Sequence, residues 1–336
     1  MLNKNNYISS NSLKTFENVS FEWINYYRKT VRKETFSRTV SDYKRFFIYA
    51  PFNDKDIGNI SDFDIEDFVH DEIIKKKLRK QGYKNLKAIL NGIFSFAYKK
   101  KYISINPMTT VKISTSNISK PTKQPKSETV FTTKDADLIK STIKSDRENY
   151  ESSVPFAILL AFQLGVRVSE LIALKWSDID NNYIHIQRQE VSYTTYDHNL
   201  ISTGTVHDIV EYTKTDASDR FLPLTPEATI ILSQTQAFNL ANHINSTYIF
   251  SDVNGNNFNR QRINNCLYSY CKKINISKKS SHKIRKNVIS TLLDNIPNKE
   301  SVRNFAGHED LQTTLKYYYK DITDDMDFYN RMCDCL

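Results

Sequence analysis

Over most of this chain the apolar positions recur at helical spacing. Phe21, Ile24, Tyr27 and Val31 share one face of a first expected helix, and Val40, Tyr43, Phe46 and Phe47 one face of a second. Ser61, followed by Asp62, Asp64 and Glu66, reads as the start of a third with an acidic first turn, and Ile73 lies further along it. Leu86, Ile89, Leu90, Ile93, Phe94 and Ala97 make a fourth stripe, which Asn106-Pro107 closes. Periodicity then stops. Residues 109–128, TTVKISTSNISKPTKQPKSE, are rich in Ser, Thr, Lys and Pro and predict an extended basic linker.

Helical spacing resumes at Thr132, whose pairing with Asp135 resembles a capping box and opens a helix through Ile143. Phe156, Leu159, Leu160, Phe162 and Leu164 predict a strongly buried helix that Gly165 ends, with Leu171, Leu174 and Trp176 on the next. The period then changes to two. Tyr183–Ile186 alternates as a strand, the polar stretch within 191–210 reads as a hairpin or an enlarged turn, and Arg220–Leu224 follows a turn at Thr215–Asp219. Helices return from Pro226, and a turn is expected at Asn254-Gly255. Near the end, Ser281 is a candidate N-cap, Pro297 a stop, Gly307 a left-handed helix end, and Asp310 a cap for a short helix with Leu311, Leu315 and three consecutive tyrosines. The fold class predicted is mainly α with a small β-sheet, that is, α+β.

With 336 residues the chain has room for two or three domains. Lys plus Arg is 47 against 38 Asp plus Glu, a net charge of +9, which favours a polyanionic partner because bound cations release counterions from phosphates. No apolar run reaches membrane-spanning length, the N-terminus is polar and no lipidation motif is present, so no membrane association and a cytoplasmic location are expected. Cys266, Cys271, Cys333 and Cys335 form no pair of CxxC motifs, so no zinc site is expected and free thiols are.

Two places promise chemistry. Arg167 sits at a junction between apolar helices, where a charge must be paired or functional; a structural bridge to Glu170 would satisfy it. His282 and Arg285 stand at i and i+3, on one face near a helix N-terminus, where anions are favoured. The lysine clusters at 75–80 and 99–101, with Lys84 and Lys87, are solvated surface taken singly and a phosphate-contacting face taken together.

The stretches LGVRVSELIALKWSDID, HKIR and AGHEDLQTTLKYYY resemble, in order and spacing, the three signature stretches of tyrosine recombinases, also called phage integrases. NISDFDIEDFV and IFSFAYKKKYISINP are similar to that family's helical core-binding domain, and KTDASDRFLPL matches its strand-turn-strand pattern KTxxSxRxxPL. Residues 1–14 are polar and read as a flexible tail; the resemblance implies a core-binding domain at 15–108 and, after the linker at 109–128, a catalytic domain at 129–336. Together these would form a C-shaped clamp around double-stranded DNA, with the tail helix after Asp324 docking on a neighbouring protomer of a homo-tetramer on paired sites. It also implies Arg167, Lys214, His282, Arg285 and His308 around a DNA phosphate and Tyr318 as nucleophile, with no cofactor and no metal. An accessory excisionase or DNA-bending protein is a further partner it allows. The form GHxxxxTTLxxY puts the nucleophile at Tyr318, and a form one residue shorter puts it at Tyr317. A Xer-like chromosome-dimer resolvase, a type IB topoisomerase-like enzyme and a non-catalytic DNA-binding regulator remain as alternatives.

Overall fold

The computed structural model describes residues 14–120, 122 and 126–318. The expected tail helix after Asp324, with Cys333 and Cys335, lies outside the described residues, as do the side chains of Tyr317, Tyr318 and Tyr319. The described chain forms two compact units. One holds the residues up to Thr122 together with Ser192–Val206; the other holds the rest.

The first unit is built on α1 (Phe16–Tyr27), α2 (Lys33–Phe47), α3 (Asp62–Lys75) and α4 (Lys80–Lys99). Ser61 and Asp64 form the capping box that starts α3. The stripes predicted for α2 and α4 are buried in full. In α1 the buried face is Phe16, Val19, Trp23 and Ile24, whereas Phe21, Tyr27 and Val31 only flank the core. This helix is apolar on more than one side, and Gly92 decides which side faces in. A Cβ there would overlap the Trp23 ring, so glycine lets α4 approach α1 through Trp23.

The linker predicted at 109–128 is not free of this unit over its described part. Val111, Ile113 and Ile118 pack against the core, and Ser119 N–H donates to Leu78 O at 2.8 Å. The unit is completed from far along the chain. β3 (Gln189–Tyr196) and β4 (Ser202–Val210) form a two-stranded ribbon whose tip lies on α1 and α2. Arg28 donates to the carbonyls of Tyr196 and Asp197, and Thr194 N–H donates to Ser37 Oγ. Asp197 Oδ1 accepts from the N–H groups of Asn199 and Ile201 and so ties the turn. That turn delivers Leu200, at φ 62° and 2% exposed, into the helical core. A left-handed leucine is costly, and burial offsets the cost. Leu200→Ala keeps the backbone and loses the packing. It is expected to lower this unit's stability by about 2–5 kcal/mol, read as an earlier midpoint in urea unfolding.

The second unit packs α6 (Thr133–Ser145), α9 (Pro226–Ala241), α10 (Arg260–Lys273) and α11 (Ser281–Asn295) around the apolar α7 (Val154–Leu164). Short helices α5 (Lys126–Thr129), α8 (Val168–Ile172), α12 (Lys299–Ala306) and α13 (Leu311–Thr313) connect or end these. Thr132 caps α6 by accepting from Asp135 N–H. A three-stranded antiparallel sheet runs β1 (Ile179–Asp180), β2 (Tyr183–Ile186), β5 (Arg220–Pro223), with Ile184 opposite Leu222 and Ile186 opposite Arg220. No described helix is long and apolar enough to cross a membrane.

Candidate active site

Two left-handed glycines turn helix ends toward one point. α7 ends at Gly165, φ 57°, and α12 at Gly307, φ 66°. A helix C-terminus leaves carbonyls without intrahelical partners and carries partial negative charge, so each end calls for a cation. Arg285, projecting from the first turns of α11, answers both. Its Nη1 donates to Gly165 O at 2.9 Å and its Nη2 to Ala306 O at 2.6 Å. The side chain is 1% exposed, the largest fully buried one in the protein's described part.

Helix α11 begins one residue earlier than the sequence suggests. Ser280, not Ser281, holds the N-cap position, and Ser281 N–H is instead satisfied by Asn264 Oδ1 of α10 at 2.9 Å. A tertiary acceptor has taken over the capping task.

Arg167 occupies the N-cap position of α8, and its backbone N–H donates to Glu170 Oε2 at 2.9 Å. Its Nη1 donates to Glu170 Oε1 at 2.5 Å and to Ser218 Oγ at 3.0 Å, and its Nη2 to Gly307 O at 3.3 Å. The structural bridge to Glu170 is therefore present, and the side chain nevertheless stays 23% exposed. A third guanidinium, Arg220 on β5, donates to Glu170 Oε2 at 3.1 Å, Ser218 O at 2.7 Å and Phe305 O at 2.8 Å. A Cβ on Gly307 would press on this guanidinium, a second reason for glycine there.

Burial works against ionising Glu170, but Arg220, then Arg167 and Arg285, outweigh it and hold the carboxyl at about 2. Three guanidiniums and one carboxylate leave this group with two positive charges, held by a rigid frame of backbone carbonyls. The group fits a further anion, reached through the exposed part of Arg167.

His308 follows Gly307 and is nearly buried. Its Nε2 takes a hydrogen bond from Arg285 Nη2 at 2.9 Å, and its Nδ1 lies 2.8 Å from Thr314 Oγ1. Burial, then the cations Arg285, Arg167 and Arg220, push its pKa down to about 3. His282, one turn before Arg285, is exposed at the surface. Although the residue reaches the surface, partial desolvation of its ring and then Lys286, Arg285, Lys283 and Arg167 lower its pKa to about 4. Both imidazoles are therefore neutral at pH 7. Lys214 stands exposed in the turn before β5, four residues from Ser218, and is not drawn into the arginine network. The backbone of Thr314–Tyr318 forms a π-helical turn, a feature frequent at functional sites.

Arg220, Ser218 and Thr314 stand at fixed positions of KTxxSxRxxPL and GHxxxxTTLxxY, but the motifs alone assigned them no role. Arg220 did leave a signal. On the alternating strand β5 it shares the inward parity of Leu222, and a charge at a core-facing position must have buried partners.

A model of the phage integrase family matches residues 129–323, more than half of the chain. The prophage ps2 probable integrase of Lactococcus lactis subsp. lactis is 27% identical over 95% of this chain and 82% of its own length. A XerC-like tyrosine recombinase of Caldanaerobacter subterraneus subsp. tengcongensis is 23% identical over 87% and 75%. Among solved structures, the Tn1549 transposon integrase in complex with transposon right-end DNA superimposes with a TM-score of 0.69 at 18% identity, covering 96% of this chain and 99% of that one. A lambda integrase tetramer bound to a Holliday junction gives 0.65 at 16% identity, over 90% and 79%. The structural likenesses concern the fold; the family match, carried by the stretch that contains every residue of the cluster above, establishes that this chain belongs to the phage integrase family.

Proposed function

We propose that this integrase, a tyrosine recombinase of a mobile element, cuts and rejoins double-stranded DNA by two successive transesterifications. The buried group of Arg167, Arg220, Arg285 and Glu170 carries this reading, because it offers a preformed, net-cationic seat beside a tyrosine-bearing turn. Arg167 and Arg285 hold the non-bridging oxygens of the scissile phosphate and neutralise charge as it builds at phosphorus. Tyr318 Oη attacks phosphorus and the bond to the 5′-oxygen breaks. The product is a 3′-phosphotyrosyl link and a free 5′-hydroxyl. Lys214, exposed and on a turn, donates the proton to the departing oxygen. His282, neutral at pH 7, takes the phenol's proton in this reading. The 5′-hydroxyl of a second strand then reverses the step. The link conserves the ester's free energy, so no ATP is consumed.

The basic surface of the first unit supplies sequence-independent phosphate contacts. Pairing of sites by four protomers through a Holliday junction is consistent with the lambda complex. A role between protomers for the residues after Asp324, which lie outside the described residues, belongs to the same reading.

The test is a nicked duplex carrying the joined ends of the element, from which the short strand beyond the cut diffuses away. A covalent protein–DNA band formed without ATP and in the presence of a chelator is the expected result. A protein that binds this duplex tightly and never becomes attached to it is a DNA-binding regulator, and the proposed reaction is then wrong.

A further inference from the structure

Arginine side chains only donate hydrogen bonds. Arg285 Nη2 lies 2.9 Å from His308 Nε2, so Nε2 must present its lone pair there. A neutral imidazole has one proton, which then sits on Nδ1. The group facing Nδ1 at 2.8 Å is Thr314 Oγ1, so this hydroxyl accepts. Thr314 is fully buried and His308 nearly so, which keeps water from substituting for either. The opposite tautomer would point an N–H at the guanidinium, donor against donor.

We propose that Thr314 is a positioning residue, whose hydroxyl accepts the Nδ1 proton of His308 and thereby stabilises the tautomer whose Nε2 lone pair holds Arg285 in place. The inference rests on the assignment of Arg285 to the phosphate site. It also changes the part played by His308, which acts on Arg285 first. Thr314 is the first residue of the π-helical turn Thr314–Tyr318. One imidazole therefore ties the tyrosine-bearing turn to the arginine, and displacement of that turn loosens the phosphate seat.

Two readouts separate this proposal from the reaction it serves. In protein with 15N-labelled histidine, long-range 1H–15N correlations report which ring nitrogen is protonated. The His308 signal is identified by its loss in His308→Gln. The wild type is expected to show Nδ1–H; an Nε2–H ring overturns the proposal, whatever the variants do. In the covalent trapping assay, Thr314→Val leaves the buried Nδ1–H without its acceptor. It is expected to react on the order of ten- to a hundredfold more slowly, while Thr314→Ser recovers most of the rate and DNA affinity changes little in either. A Thr314→Val protein as fast as wild type, or a Thr314→Ser protein as slow as Thr314→Val, contradicts it. An Nδ1–H ring in a wild type that never traps DNA supports the hydrogen bond and refutes the proposed reaction instead.

Discussion

Tyr318→Phe abolishes the covalent DNA complex while DNA binding survives, and Tyr317→Phe and Tyr319→Phe still form the complex. The phenol is the only group in this account that bonds to phosphorus, and phenylalanine offers no oxygen to do so. A free phenol has a pKa of about 10 and is a poor nucleophile at neutral pH. Fixed guanidiniums stabilise the developing phenolate and the phosphorane oxygens together, and a neutral imidazole can take the proton. Selection among three adjacent tyrosines is a matter of backbone register. An α-helix and a π turn present successive residues at different angles. The turn Thr314–Tyr318 makes i→i+5 closure the relevant geometry, so helical spacing alone does not select a tyrosine. The family form GHxxxxTTLxxY, which this stretch resembles, puts the nucleophile at Tyr318, and the form one residue shorter would put it at Tyr317.

Arg285→Lys slows formation of the covalent complex by about a hundred- to a thousandfold, with DNA affinity changed far less. Lysine keeps the charge, so long-range attraction to DNA persists. What it loses is the planar fork. Arg285 holds Gly165 O, Ala306 O and His308 Nε2 from two nitrogens at fixed angles. An ammonium on a flexible stem has three donors but no such plane. Glu170 also loses one of its three neutralising guanidiniums in position, although Arg220 and Arg167 still pair with it directly. Quench-flow rates of trapping, set beside binding isotherms at one salt concentration, separate the two effects. Equal losses in rate and affinity would show that Arg285 merely helps to bind DNA.

Much of this was legible in the sequence because it depends on local rules. Periodic stripes placed α2, α4 and α7, capping chemistry placed the starts of α3 and α6, and Gly165 and Gly307 marked their turns. The face of α1 was misplaced because aromatic residues lie all round it and the deciding contact, Trp23 on Gly92, is tertiary. The start of α11 shifted by one residue because Asn264 replaces a cap. The stretch at 191–210 was foreseen as a hairpin or an enlarged turn, but its role was not: Leu200 fills the core of the unit formed by the N-terminal helices. Within the site, residues with a distinctive local pattern were found. Arg285's acceptors were not, because backbone carbonyls at two helix ends leave no mark in a sequence. Arg220 and Thr314 looked like a strand residue and one of a pair of threonines. Only the fold shows that Arg220 is buried against the Glu170 carboxylate and Thr314 against the His308 imidazole.

Whether Tyr318 carries the DNA is decided by mapping the site of attachment in the trapped complex. The covalent complex is formed on nicked DNA, digested with a nuclease and then a protease, and the nucleotide-bearing peptide is fragmented in a mass spectrometer to locate the adduct. A single modified residue, Tyr318, is expected in the peptide that begins after Lys316. An adduct on Tyr317 or Tyr319, or on a residue outside this run, would contradict that assignment.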